Sequence, residues 1–197
     1  MRILIDNAPT RGHVSSRNVR GSLFVDYVRL IRSAKHVEWE RHLEPEDMAY
    51  LQQRVDDARW YPMSTFERFG LGILSLVAQG SVAMVHDWGR HQVDSMLRLH
   101  PGLIEPDDAR ESLMRVAVHR RGFFDYEVLT VREVTDGHAL LGLSYQMSDV
   151  AELAACMQTM GAFRELLERA YALSIEAHFA SRRWEGEETT TLELTWK

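Results

Sequence analysis

Four stretches of alternating apolar and polar residues stand in two pairs near the C-terminus, on either side of one long helix-like segment. Residues 123–133 and 138–145 read as strands joined by the turn signal Thr135-Asp136-Gly137. Residues 149–170 read as a helix. Residues 173–183 and 189–196 read as strands again, joined around Glu185-Gly186-Glu187. In the last pair Leu173, Ile175, Ala177 and Phe179 share one face, and Ser174, Glu176 and His178 the other. Leu192, Leu194 and Trp196 alternate with Thr191, Glu193 and Thr195. Side chains of a strand point to opposite faces in turn, so this pattern predicts an antiparallel sheet with one buried face. The preceding half of the chain must cover that face.

That half reads as helices. From Gly21, residues Leu23, Phe24, Tyr27, Val28, Leu30 and Ile31 make an apolar stripe at helical spacing. Glu44-Pro45-Glu46-Asp47 starts a second helix, with Pro in the first turn and acids at the positive dipole end. It is expected to bury Met48, Leu51 and Val55 and to end near Asp57, before Trp60-Tyr61-Pro62. Ser64 and Glu67 have the spacing of a capping box. They open a helix with Phe66, Phe69, Leu71, Ile73, Leu74 and Val77 inside, and Gly70 and Gly72 suggest close approach of another helix. Residues 82–99 form the next helix. Glu105-Pro106-Asp107-Asp108 starts another, with Leu113, Met114, Ala117 and Val118 inward, which ends at His119-Arg120-Arg121-Gly122. The fold class is therefore α+β, with N-terminal helices on a C-terminal four-stranded antiparallel sheet arranged hairpin-helix-hairpin. Residues 21–197 form one domain. Residues 2–5 suit a short edge strand, and the polar stretch 7–20 reads as a poorly ordered or partner-dependent part of an N-terminal extension, residues 1–20.

Composition narrows the function classes. A net charge of −6 does not suit a general nucleic-acid binder, which needs a basic field. Arg abundance is discounted, because Lys35 and Lys197 are the only lysines among 23 basic residues, a bias that a GC-rich genome produces. The lone Cys156 excludes an internal disulfide framework and a cysteine-built zinc site, and suits the cytoplasm. No apolar run approaches the roughly 20 residues of a membrane span.

The candidates for chemistry are few. Asp87, His91 and Asp94 share a helix face and could hold a divalent metal, with His119 as a fourth ligand. The same residues also suit a solvated face with Arg90 and Arg98 as counter-charges. Cys156, between Ala155 and Met157, reads as a small buried hydrophobe. Met63, Met84, Met96, Met114, Met147, Met157 and Met160 line an adaptable pocket or fill a core. Trp184, beside Arg182 and Arg183, is either an interface anchor or a cover for its own hairpin. Arg120 and Arg121 stand at a helix C-terminus, the wrong end for an anion. No phosphate loop, nucleophile elbow, zinc-protease motif or calcium loop is present.

The runs Val19-Arg20-Gly21-Ser22-Leu23-Phe24 and Trp60-Tyr61-Pro62-Met63-Ser64-Thr65-Phe66, with the helix centred on Gly161 and the terminal hairpin, resemble an uncharacterised myxobacterial family of paralogous single-domain proteins. The layout is more distantly similar to the superfamily of haem nitric-oxide-binding, four-vinyl-reductase and TRAPP-transport domains. That resemblance implies a helices-then-sheet fold, an internal pocket and self-association. Haem nitric-oxide-binding domains hold the haem propionates with a Tyr-x-Ser-x-Arg motif, and Ala180-Ser181-Arg182-Arg183 lacks the tyrosine. No cofactor is therefore expected, haem included. Cys156 matches neither the multiple cysteines of the reductase domains nor the lipid-bearing cysteine of the transport proteins.

These readings lead to a non-enzymatic cytoplasmic sensory or regulatory module. It binds a small hydrophobic ligand or a partner protein, and it acts as a homodimer. The alternatives are a metal protein or enzyme using the His91 helix, and a structural adaptor working through the N-terminal extension.

Overall fold

The computed structural model describes residues 17–197. The chain starts with a short strand, β1 (Asn18–Arg20), which runs into helix α1 (Gly21–Ser33). Helix α1 buries Phe24, Val28 and Ile31, the stripe its sequence predicts. Helix α2 (Pro45–Gln52) starts where its acids and proline place it, and Asp47 accepts a hydrogen bond from the Glu44 amide at 3.3 Å. It stops earlier than expected. Val55 is buried from a loop, while Met48 and Leu51 are half-buried.

Trp60-Tyr61-Pro62 is a strand, β2, paired antiparallel with β1 through Val19 and Tyr61. Part of the expected extension therefore belongs to the domain. Val19 is fully buried and also bridges to Phe124, and the Asn18 side chain donates to Asp125 at 2.7 Å. Residues 2–5 and most of the extension lie outside the described residues.

Helix α3 (Met63–Gly72) passes into a π-helical turn at Ile73–Val77. The expected Ser64–Glu67 box does not form. Ser64 is exposed, and the Glu67 carboxylate accepts from the amide and hydroxyl of Ser148, at 2.8 and 2.6 Å. With Pro62 at the cap position, the orphan amides of the first turn are not met by a side chain. Helix α4 (Val82–Leu99) starts at Ser81, whose hydroxyl accepts from the Met84 amide. Helix α5 (Ala109–Arg120) starts at Asp108, which accepts from the Glu111 amide. It buries Leu113, Val116 and Ala117, but Val118 points to solvent.

The sheet follows: β3 (Leu129–Val134), β4 (His138–Leu143), helix α6 (Asp149–Arg169), β5 (Glu176–Ser181) and β6 (Thr190–Thr195). Its order is β3-β4-β6-β5, antiparallel throughout. Ala139, Leu141 and Leu143 of β4, Leu192 and Leu194 of β6, and Phe179 of β5 make the buried face. They share one core with Cys156, Phe163, Leu166 and Leu167 of α6. The strands are shorter than expected at both outer ends, and Leu173 is 69% exposed.

Helix α6 lies between the sheet and α4. Where α4 crosses it the backbones touch. A β-carbon on Gly89 would stand 1.9 Å from the Gln158 carbonyl oxygen, and one on Gly161 2.0 Å from that of His86. Both positions therefore have to be glycine. Arg90 then bridges to Glu165 and Glu168, and Arg169 to Asp94 and Glu165. Among the described residues no single helix is long and apolar enough to cross a membrane.

Candidate ligand-binding site

Helices α1, α4, α5 and α6 diverge around a cavity of about 460 Å³. The last turn of α5 sets its polar side. Because α5 ends at Arg120, His119 and Arg120 reach the cavity together, and Phe123 and Phe124 follow them into its wall. His100, just past the end of α4, meets His119 with ring centroids 4.5 Å apart. The edge of His119 meets Phe123 at 5.0 Å. The His119 Nε2 atom is buried and has no hydrogen-bond partner. Burial, then the neighbouring His100 and Arg120, hold its pKa below the ordinary imidazole value, which favours the neutral ring.

Arg120, at the helix C-terminus its sequence gives it, turns inward. It donates to the Tyr145 hydroxyl at 2.7 Å and to Thr159 Oγ1 at 3.2 Å, while its Nε is buried without a partner. Tyr145 and Thr159 also hydrogen-bond each other. Burial pushes the Tyr145 phenol above its ordinary range, so it stays a neutral donor and acceptor. The loop carrying Tyr145 is fixed from below by Glu152. Its fully buried carboxylate accepts from the amides of Tyr145 and Met147, at 2.8 and 3.0 Å. Arg17 reaches the Gln146 carbonyl at 2.6 Å, and Arg183 the Met147 carbonyl at 3.0 Å. The cavity's polar corner is thus built on a braced segment.

The other sequence candidates lie elsewhere. Asp87 is exposed and pairs with His86, His91 Nδ1 lies 2.8 Å from the Asp87 carbonyl, and the Asp94 carboxylate is held by Arg169. Among the described residues no group of three or more His, Cys, Asp or Glu is placed to hold a metal ion. Trp184 is half-buried, edge-on to Phe179 at 5.3 Å, over its own hairpin. Cys156 is buried, and burial, with Glu152 adding to it, pushes its thiol far up. Such a thiol is a poor nucleophile. Of the methionines, Met96 faces the cavity, Met63, Met147 and Met160 are buried in the core, and Met84 is exposed.

Sequence reasoning named His119 as a fourth ligand for the His91 helix and Arg120 at a helix end, but brought neither to this corner with Tyr145 and Thr159. A local Tyr-x-Ser-x-Arg spacing starting at Tyr145 has Met147 and Asp149 in its third and fifth places. The arginine beside Tyr145 comes instead from α5, 25 residues earlier. No local signal points to it.

Neither a family model nor a curated protein sequence matches the chain. Solved structures do. A mutant H-NOX protein from K. algicida is 18% identical with a TM-score of 0.64, covering 90% of this chain and 96% of its own. An H-NOX protein from S. oneidensis in its Fe(II)NO state is 9% identical with a TM-score of 0.62, covering 90% and 99%. A mutant H-NOX from T. tengcongensis is 10% identical with a TM-score of 0.60, covering 90% and 97%. At such identities the likeness is one of fold. Another similar structure is described as probing haem distortion in the H-NOX family.

The expectation of no cofactor, haem included, is thereby overturned. It rested on a missing local motif, whereas the similar structures are H-NOX proteins, two of them described in Fe(II) states and one by its haem distortion. The residues of the cavity fit such a group. An imidazole whose buried Nε2 has no protein partner is a suitable iron ligand, aromatic rings line the wall, and a cation with an unused donor stands beside it.

Proposed function

We propose that this chain is a non-enzymatic sensory module that holds haem in the cavity between α1, α4, α5 and α6. The observation that carries this reading is the buried His119 Nε2 with no partner in the protein. A buried polar atom left unsatisfied costs about 1–3 kcal/mol, a cost that a bound ligand removes. His119 would be the iron ligand, and Arg120 would hold an anionic substituent of the ring. Bound haem would supply an iron centre able to take a small gas. The fold likeness to H-NOX proteins supports the choice of group.

The protein's own residues then couple occupancy to the sheet. Arg120 is tied to Tyr145 and Thr159. Drawing its guanidinium toward an anion weakens those bonds, one to the loop before α6 and one to the middle of α6, the helix that packs on the strands. The coupling lies in this exchange of Arg120's partners.

Titration of the purified protein with ferric haem tests the reading, followed by the haem absorbance band. One equivalent should bind. His119→Ala should weaken binding at least tenfold, and His100→Ala should leave it nearly unchanged. Equal affinity in wild type and His119→Ala would refute the assignment.

A further inference from the structure

A second cavity, of about 290 Å³, lies beside the first among α1, α3, α4 and α6. Its walls are mostly apolar: Leu30, Ile73, Leu74, Val85, Trp88 and Ala154. The two cavities share a wall made by Tyr27, Phe66, Gln92, Ala155 and Gln158, with Asp26 and Ser95 at both. Tyr27 is the middle of that wall, and three features hold it closed. Its ring stacks on Phe66, with centroids 4.3 Å apart and planes 9° apart. Its edge lies over Gly70, where a β-carbon would stand 3.3 Å from Tyr27 Cε2, so α3 gives up a side chain to seat it. Its hydroxyl meets Gln158 Oε1 at 3.2 Å, and Gln158 donates to Gln92 Oε1 at 3.3 Å.

A polar chain from α1 to α6 to α4 is an unusual choice for a wall between two apolar spaces. Aliphatic side chains would fill such a wall better. A stack and a hydrogen bond, by contrast, can be released and remade by one rotation of Tyr27.

We propose that Tyr27 is a movable partition inside one ligand channel, and that the open channel takes a molecule with an anionic head and an alkyl tail. The head lies at Arg120, whose Nε is unpartnered, and the tail passes Phe66 into the second cavity. The gap left by one aromatic ring admits a chain and not a fused ring system. The acid and haem would be alternative occupants of the first cavity, because both need Arg120; this inference rests on the reading of that cavity as a ligand site, but not on iron.

Binding of octanoate and hexadecanoate, each below its micelle concentration, tests it by calorimetry and by Trp88 emission, taken as the difference from Trp88→Phe. Tyr27→Ala should bind hexadecanoate about tenfold more tightly than wild type does, with octanoate changed less than threefold. Tyr27→Phe keeps the ring and loses the hydroxyl, and should fall between. Trp88 emission should respond to hexadecanoate alone. Equal gains for both acids, no binding of hexadecanoate to either variant, or an unchanged Trp88 signal would overturn the proposal. If haem still binds through His119 in that case, the partition alone has failed. If Arg120→Gln binds octanoate as wild type does, the head-group assignment has failed, and the proposal with it.

Discussion

Asp47 is fully buried, yet it is a charged residue near the start of a surface helix. Arg68 explains it, donating from Nε at 2.6 Å and from Nη2 at 2.7 Å, the fork geometry that suits a carboxylate. Asp47→Ala loses both of these bonds but leaves Arg68 paired with Glu46 and partly in solvent, so it should cost about 1–3 kcal/mol in urea unfolding. Asp47→Asn keeps the shape and should cost less. Glu152 has a different role, since its partners are mainly two backbone amides. Glu152→Gln should lose about 1–2 kcal/mol, as one charged acceptor becomes a donor facing an amide. His119 adds a pH dependence. Its folded pKa lies below the ordinary value of about 6.5, so on acidification the unfolded chain takes up this proton before the folded one does. Its contribution is therefore complete above about pH 6.5 and is lost as pH falls through the folded value. The urea midpoint should drop as pH falls below about 6.5, and the drop should be smaller in His119→Gln.

At the scale of elements, the crossing of α4 and α6 is closed by backbone against backbone at two points. Gly161→Ala would drive a methyl group into the His86 carbonyl, and Gly89→Ala would do the same at Gln158. Each should destabilise by about 3 kcal/mol or more, measured by thermal or urea unfolding, because backbone cannot move aside as a flexible side chain can. Gly70→Ala meets only the Tyr27 ring and should cost less than either. Helix positions were legible because their signals are local. Ser81 and Asp108 cap α4 and α5, and the apolar stripe of α1 faces the core as its spacing requires. Two local signals misled for a tertiary reason. The Ser64–Glu67 spacing suits a capping box, but Glu67 is used by Ser148, 81 residues away. The polar composition near residue 18 suits a loose tail, but Asn18–Arg20 pairs with β2 and Val19 is fully buried.

At the scale of the whole molecule, alternation within the two hairpins was enough to predict the sheet and its buried face, because that period is independent of any partner. The site was not legible, because it belongs to no segment. Tyr145 comes from the end of the first hairpin, Thr159 from α6, and His119 and Arg120 from the last turn of α5. The residues that carried a local pattern, Asp87, His91 and Asp94, are instead distributed among surface contacts. The central claim is that His119 is the donor around which the cavity is built. Resonance Raman spectroscopy of the ferrous haem-loaded protein tests it most directly. The account predicts an iron–imidazole stretching mode that is lost in His119→Gly and returns when free imidazole is added. A mode that persists unchanged in His119→Gly would contradict it.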